Sequence, residues 1–172
     1  MRRWLLWTPL AAFALFIGVA LVGLRREPAS PFESRLVGRP MPAFSLPPVL
    51  PGIPGTRGDA QGPRLVNVFG SWCLPCVAEA PQLMALRRAG VTIDAVAIRD
   101  RPEDVRRFLQ RHGNPFRAIG DDPESRVQLS LGSSGVPETF LVDSRGVIRA
   151  QHIGEIRPEH VPALVARARA LR

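Results

Sequence analysis

The only two cysteines of the 172-residue chain, Cys73 and Cys76, stand two residues apart in Ser71-Trp72-Cys73-Leu74-Pro75-Cys76. They follow the apolar run of residues 65–69 and precede a helix-like segment. That is the strand-to-helix setting in which a Cys-x-x-Cys pair carries out redox chemistry. A cysteine at a helix N-terminus meets N–H groups that lack intrahelical partners and the positive end of the helix dipole, so a thiolate is favoured at Cys73. Cys76, one turn further in, is expected to be shielded. The asymmetry suits thiol–disulfide exchange: Cys73 as nucleophile attacks or is attacked, and Cys76 resolves the mixed disulfide.

Three other readings compete. A purely structural disulfide around so short a loop would contribute only roughly 2 kcal/mol, against about 3 for a 15-residue loop. A zinc site needs two further ligands, and His112, His152 and His160 are far apart and lack ligand spacing. Inert buried thiols leave their position beside Trp72 at a strand end unexplained. The redox reading is the strongest, and it requires neither a metal nor any cofactor beyond a Cys73–Cys76 disulfide.

Several elements must position the pair. Residues 64–70 read as a buried strand and 73–89 as an amphipathic helix kinked near Pro81, with Val77, Ala80, Met84 and Leu86 on its apolar face. Further strands are predicted over 91–98, 116–119, 138–142 and 147–153, and further helices over 102–112, 123–131 and 158–171. Asp143-Ser144-Arg145-Gly146 suits the turn of a hairpin joining the last two strands. Residues 38–63, rich in proline and glycine, read as extended. Strands alternating with helices and closed by an antiparallel hairpin define an α/β fold with a mixed central sheet flanked by helices.

The net charge of +8 is carried by arginine, since the chain has no lysine. Arg2, Arg3, Arg25 and Arg26 flank an apolar segment, and the remaining arginines are interspersed with 15 acidic residues. No basic stripe with interleaved aromatics is present, so no nucleic-acid partner is expected. Residues 4–24 would span roughly 31 Å as a helix, matching the ~30 Å hydrocarbon core of a bilayer. An uncleaved anchor within residues 1–26 is the expectation, with a cleaved signal peptide as the alternative. The flanking charges tip the N-terminus weakly toward the cytoplasm. Residues 27–36 read as a linker and 37–172 as the globular domain.

Val136-Pro137 ahead of a strand is unremarkable alone, but combined with the upstream Cys-x-x-Cys and the following hairpin it makes the chain resemble the thioredoxin-like family. Gly135-Val136-Pro137-Glu138-Thr139-Phe140, Gly146-Val147-Ile148-Arg149, His152-Ile153-Gly154, Gly113-Asn114-Pro115-Phe116 and residues 38–44 narrow the match. Together they resemble the membrane-anchored thiol:disulfide interchange proteins of cytochrome c biogenesis (CcmG/DsbE type), from about Val37 to the C-terminus.

The resemblance implies that Pro137 is a cis-proline lining a substrate groove, with Trp72, Val136 and Thr139 contacting substrate. It implies a periplasmic reductant, on the inner membrane, that draws electrons from a transmembrane thiol transporter. The acceptor would be the Cys-x-x-Cys-His haem site of apocytochrome c or a reductive partner of it. A dithiol reductant for copper-site assembly and a non-catalytic module binding peptide or haem are the alternatives. Asn67 stands six residues ahead of Cys73, where thioredoxin has a buried aspartate. Glu79 and Glu138 are the acids this subfamily places near the dithiol, expected to move protons or tune the thiols, against a reading of both as solvated surface groups. Ser133-Ser134 stands where the subfamily commonly has an aromatic residue. His112, His152 and His160 receive structural or surface readings.

Overall fold

A computed structural model describes residues 7–25 and 36–171, with the backbone alone for residues 19–25. The chain divides into two compact units, residues 1–31 and 32–172. The predicted linker lies outside the described residues except for Leu36. In the first unit, helix α1 covers Thr8–Arg25, 18 residues or about 27 Å. Residues 4–6 of the expected membrane span lie outside the described residues. Among the described residues no helix is long and apolar enough to cross a membrane.

The second unit is built on a five-stranded sheet in the order β3-β2-β1-β4-β5. Its strands are β1 (Arg64–Phe69), β2 (Ile93–Ile98), β3 (Ala118–Asp122), β4 (Glu138–Val142) and β5 (Ile148–Ile153). β1, β2 and β3 run parallel, and β4 and β5 are antiparallel additions beyond β1, which makes the expected mixed sheet. The helices are α2 (Leu74–Arg88), α3 (Pro102–His112), α4 (Arg126–Ser130) and α5 (Val161–Ala170).

Every residue of β1 is buried, because the strand is covered on both faces. Its period-2 alternation deals Leu65 and Phe69 to a cluster with Cys76, Leu83 and Leu86 of α2, Phe108 of α3 and Leu164 of α5. Val66 and Val68 go to a second cluster with Val127, Leu131, Phe140 and Val142. Asn67 lies between Leu65 and Phe69 in the alternation, so its amide is delivered to the α2 side. The β1–β4 register sets Asn67 opposite Thr139 and Val68 opposite Glu138.

Several boundaries differ from the sequence reading. β3 starts at Ala118 and runs on through Gly120 to Asp122, because parallel pairing with β2 continues to Ile98. Gly120 is required there: a Cβ on it would lie 2.6 Å from Leu46 Cβ in the extended segment laid against the sheet. α4 is shorter than predicted, since Ser125 before it takes a left-handed φ of 57°. The last helix is split into a 3-10 turn over Pro158–His160 and α5. Pro162 has no N–H for the Pro158 carbonyl, so a continuous α-helix cannot form there. α2 is continuous through Pro81, and its buried face carries Leu83 and Glu79 rather than Met84.

Candidate active site

Cys73 caps α2 in extended conformation, and its Sγ accepts the Cys76 N–H at 3.2 Å. Pro75, in the first turn, gives up an N–H that would have had no intrahelical partner, so it fits the helix start without cost. Cys73 and Cys76 form a disulfide with their Cα atoms 5.2 Å apart. Cys73 keeps 5% of its surface accessible and Cys76 1%. The outer sulfur is thus the better exposed of the two, yet more shielded than an open cleft would leave it. The flanking side chains are what project outward: Trp72 is 57% and Leu74 79% exposed. The Trp72 indole lies over Gly70, where a Cβ would come within 2.6 Å of the ring, and its Nε1 donates to the Ile98 carbonyl at 3.3 Å. A cavity of about 330 Å3 beside it is lined by Ser71, Trp72, Val77, Phe108 and Arg111.

The Val136–Pro137 peptide bond is cis. Val136 packs against both core clusters, including the one that holds the two cysteines. β1, α2 and the loop entering β4 therefore carry the sequence-derived candidates to one end of the sheet.

Glu79 and Glu138 are both buried, so neither is the solvated surface group that most glutamates are. Glu79 lies one turn beyond Cys76 on the buried face of α2. Its Oε1 accepts from Asn67 Nδ2 at 3.0 Å and its Oε2 from the Ile156 N–H at 2.9 Å. Burial pushes its carboxyl up to about 7, opposed by the Ile156 and Asn67 hydrogen bonds and aided by the charge of Glu155. A carboxyl poised there can hold or release a proton at neutral pH.

Glu138 lies on the opposite face of the sheet, by the alternation that sends Phe140 and Val142 to the second cluster. Its Oε1 accepts from the Ser134 N–H at 2.8 Å and Ser134 Oγ at 2.6 Å, and its Oε2 from Gln151 Nε2 at 2.8 Å. This carboxylate thus bonds the loop that carries Pro137 through one oxygen and β5 through the other. Thr139 faces the dithiol side but is buried, and its Oγ1 accepts the second Asn67 Nδ2 bond at 3.0 Å. Its side chain is thus held inside and not presented to a visiting polypeptide. His152 and His160 pack edge to face with ring centroids 4.7 Å apart, although the sequence placed them in separate elements. Burial, ahead of the neighbouring His160, lowers the proton affinity of His152, while its bond to the Glu155 carbonyl raises it. Among the described residues no cluster of three or more His, Cys, Asp or Glu could hold a metal ion.

Two site features escaped the sequence reading. Asp100, two residues beyond the end of β2, hydrogen-bonds Ser71 next to the motif. Ile156 supplies the backbone donor to Glu79 from far along the chain. No local pattern marks either one, but the burial of Glu79 was detectable: it shares the helical stripe of Cys76, Ala80 and Leu83.

A mixed sheet with a Cys-x-x-Cys disulfide at a helix N-terminus defines a thioredoxin-like thiol–disulfide oxidoreductase. Residues 36–167 match the Redoxin family. The chain is 39% identical to thiol:disulfide interchange protein DsbE of Pseudomonas fluorescens biotype C, over 91% of this chain and 88% of that protein. It is 34% identical to thiol:disulfide interchange protein HelX of Rhodobacter capsulatus, over 91% of this chain and 90% of that protein. A thioredoxin-family thiol:disulfide interchange protein from Chlorobium tepidum shares the fold, with a TM-score of 0.62 and 24% identity over 78% of this chain and 97% of that one. The chain belongs to the redoxin family and, within it, to the thiol:disulfide interchange proteins of the DsbE/CcmG type.

Proposed function

We propose that the protein is a membrane-anchored periplasmic reductant of cytochrome c biogenesis. The buried, proton-poised Glu79 one turn behind Cys76 is the observation that carries the mechanism. In the reduced protein the Cys73 thiolate attacks a disulfide of the acceptor polypeptide, forming a mixed disulfide and releasing one acceptor thiolate. The Cys76 thiol gives its proton to the Glu79 carboxylate and attacks Cys73. The second acceptor thiolate leaves, and the Cys73–Cys76 disulfide forms. Two electrons pass to the acceptor, whose two thiolates take up protons, one from Glu79 by way of solvent and one from solvent directly.

The backbone at Val136, ahead of Pro137, and the exposed Trp72 are the proposed contacts for the acceptor chain. Apocytochrome c, at its haem-binding cysteines, or a reductive partner of it is the proposed acceptor. A transmembrane thiol transporter is the proposed donor, and no bound cofactor is required. Attachment to the inner membrane through residues 4–24 is supported by the apolar character of that segment. The resemblance of Glu138-Thr139-Phe140 and its neighbours to proteins of this pathway supports the assignment to cytochrome c.

The test is a Cys76→Ser trap expressed in cells lacking the native protein, beside a Cys73→Ser control. The trap is expected to hold a polypeptide carrying Cys-x-x-Cys-His, or its reductive partner, in a mixed disulfide at Cys73. Cells with Cys73→Ser are expected to lose holocytochrome c. Normal cytochrome content with Cys73→Ser, or a trap holding only copper-site proteins, would defeat the proposal.

A further inference from the structure

We infer that Asp100 is a positioning residue for the dithiol: its carboxylate clamps the turn that carries Cys73 and biases the couple toward the reducing side. The inference rests on thiol–disulfide exchange as the chemistry of the pair. Asp100 Oδ2 accepts the Ser71 N–H at 2.5 Å, and its Oδ1 accepts Ser71 Oγ at 2.7 Å and the Arg101 N–H at 2.9 Å. One carboxylate therefore ties the first residue of the active-site turn to Arg101, the residue that caps α3. Trp72 adds a bond to the Ile98 carbonyl, and the Cys73 N–H closes the turn on Gly70 at 3.1 Å. The chain reaches this position through Arg99, whose left-handed φ of 45° is uncommon for a side chain of its size and redirects the end of β2 toward the turn.

Hydrogen bonds to a charged acceptor are stronger than neutral ones, so the clamp fixes where Cys73 sits. The charge has a second effect. A thiolate forms at Cys73 only in the reduced protein, and a carboxylate bonded to Ser71, two residues before it, disfavours it. Asp100 holds the Ser71 N–H, while the Cys76 N–H donates to the Cys73 sulfur. A dithiol whose thiolate is less stabilised is a weaker oxidant.

The charged groups facing this carboxylate come mainly from α3, where Arg111 and His112 line the same cavity as Ser71 and Trp72. Arg101 is paired with Glu103 and Arg107 with Asp104. Asp121, across the β2–β3 edge, has its carboxyl raised by burial first and then by the charges of Asp122 and Asp100.

The experiment compares the full chain with Asp100→Asn and Ser71→Ala. It measures the redox equilibrium with glutathione and the ultraviolet thiolate titration of Cys73. Asp100→Asn keeps the shape and removes the charge. It is expected to shift the equilibrium toward the reduced dithiol about three- to tenfold, tenfold corresponding to about 30 mV, and to lower the pH at which Cys73 ionises. Ser71→Ala keeps the charge and is expected to shift the equilibrium less than about twofold. An unchanged thiol titration in Asp100→Asn, or equal shifts in both variants, would overturn the inference. A wild-type dithiol that fails to exchange with glutathione would instead remove the chemistry on which it rests.

Discussion

Asn67 Nδ2 stands 3.0 Å from Glu79 Oε1, and this bond joins the central strand to the buried face of the active-site helix. The central strand thus contributes a neutral donor here, and the carboxylate stands on α2. An amide hydrogen bond favours the ionised carboxyl, but burial outweighs it and holds the group near 7. The folded protein therefore binds a proton at Glu79 that the unfolded chain releases at lower pH. Sign follows from linkage: this contribution is fully present below the ordinary glutamate range and is lost as pH rises through about 7. The expected loss is on the order of 3 kcal/mol between about pH 5 and about pH 8. Glu79→Gln is expected to flatten that slope. Chemical denaturation at both pH values checks it, and an unchanged slope would exclude Glu79 as its source.

The two sulfurs should react in a fixed order. Cys73 retains more accessible surface than Cys76 and caps the helix, so in the reduced protein it is the thiol that meets a reagent first. Brief treatment with iodoacetamide followed by peptide mass mapping is expected to find Cys73 modified at least about tenfold more than Cys76. Equal labelling would contradict the nucleophile and resolving roles.

Much of this arrangement was legible from local chemistry. Pro102–His112 and Glu138–Val142 were predicted with the boundaries they have, because proline and glycine or a dense apolar run marks their ends. The dithiol at the start of α2 followed from the cysteine spacing together with the apolar run before it and the helix-like segment after it. What remained hidden depends on pairing across the sheet. Alternation within residues 138–142 shows that Glu138 and Thr139 face opposite sides, but only the register with β1 reveals that Thr139 is the one on the dithiol side. The clamp by Asp100 and the donor from Ile156 are contacts between residues distant in sequence, and no spacing rule encodes them. Arg64 was hidden for a different reason: an arginine is rarely buried in full, so composition argues against it.

Glu138 anchors the loop before β4 through Oε1 and holds Gln151 of β5 through Oε2. Replacing it with alanine removes the acceptor of the Ser134 N–H and one partner of the Gln151 amide. Losing a charged acceptor from partly buried donors costs about 1–3 kcal/mol. Glu138→Ala is expected to destabilise by that amount and to speed hydrogen exchange at residues 134–137. Glutamine, which keeps one acceptor oxygen, should recover part of the loss. A disturbance confined to the dithiol, with the loop unaffected, would return Glu138 to a direct role in the chemistry.

Arg64, at the start of β1, is buried with its guanidinium turned inward. Its Nη2 donates to the Gly58 carbonyl at 2.7 Å and its Nη1 to the Ala60 carbonyl, while Asp94 Oδ2 lies 3.4 Å from Nε. Burial lowers its proton affinity, and the Asp94 charge works against that shift. Asp94 is shared: Arg117 binds both of its oxygens, at 2.9 and 2.6 Å. Removing one partner from a buried ion pair costs about 3–5 kcal/mol, because the remaining charge stays desolvated. Here Arg117 still neutralises Asp94, so Arg64→Ala is expected at the low end of that range, with the carbonyls of residues 58–62 losing their common donor. The double variant Arg64→Ala with Arg117→Ala should exceed the sum of the single losses, because it leaves Asp94 with neither cation. Urea denaturation of the three variants measures the coupling, and strict additivity would show that the two arginines act independently of the carboxylate between them.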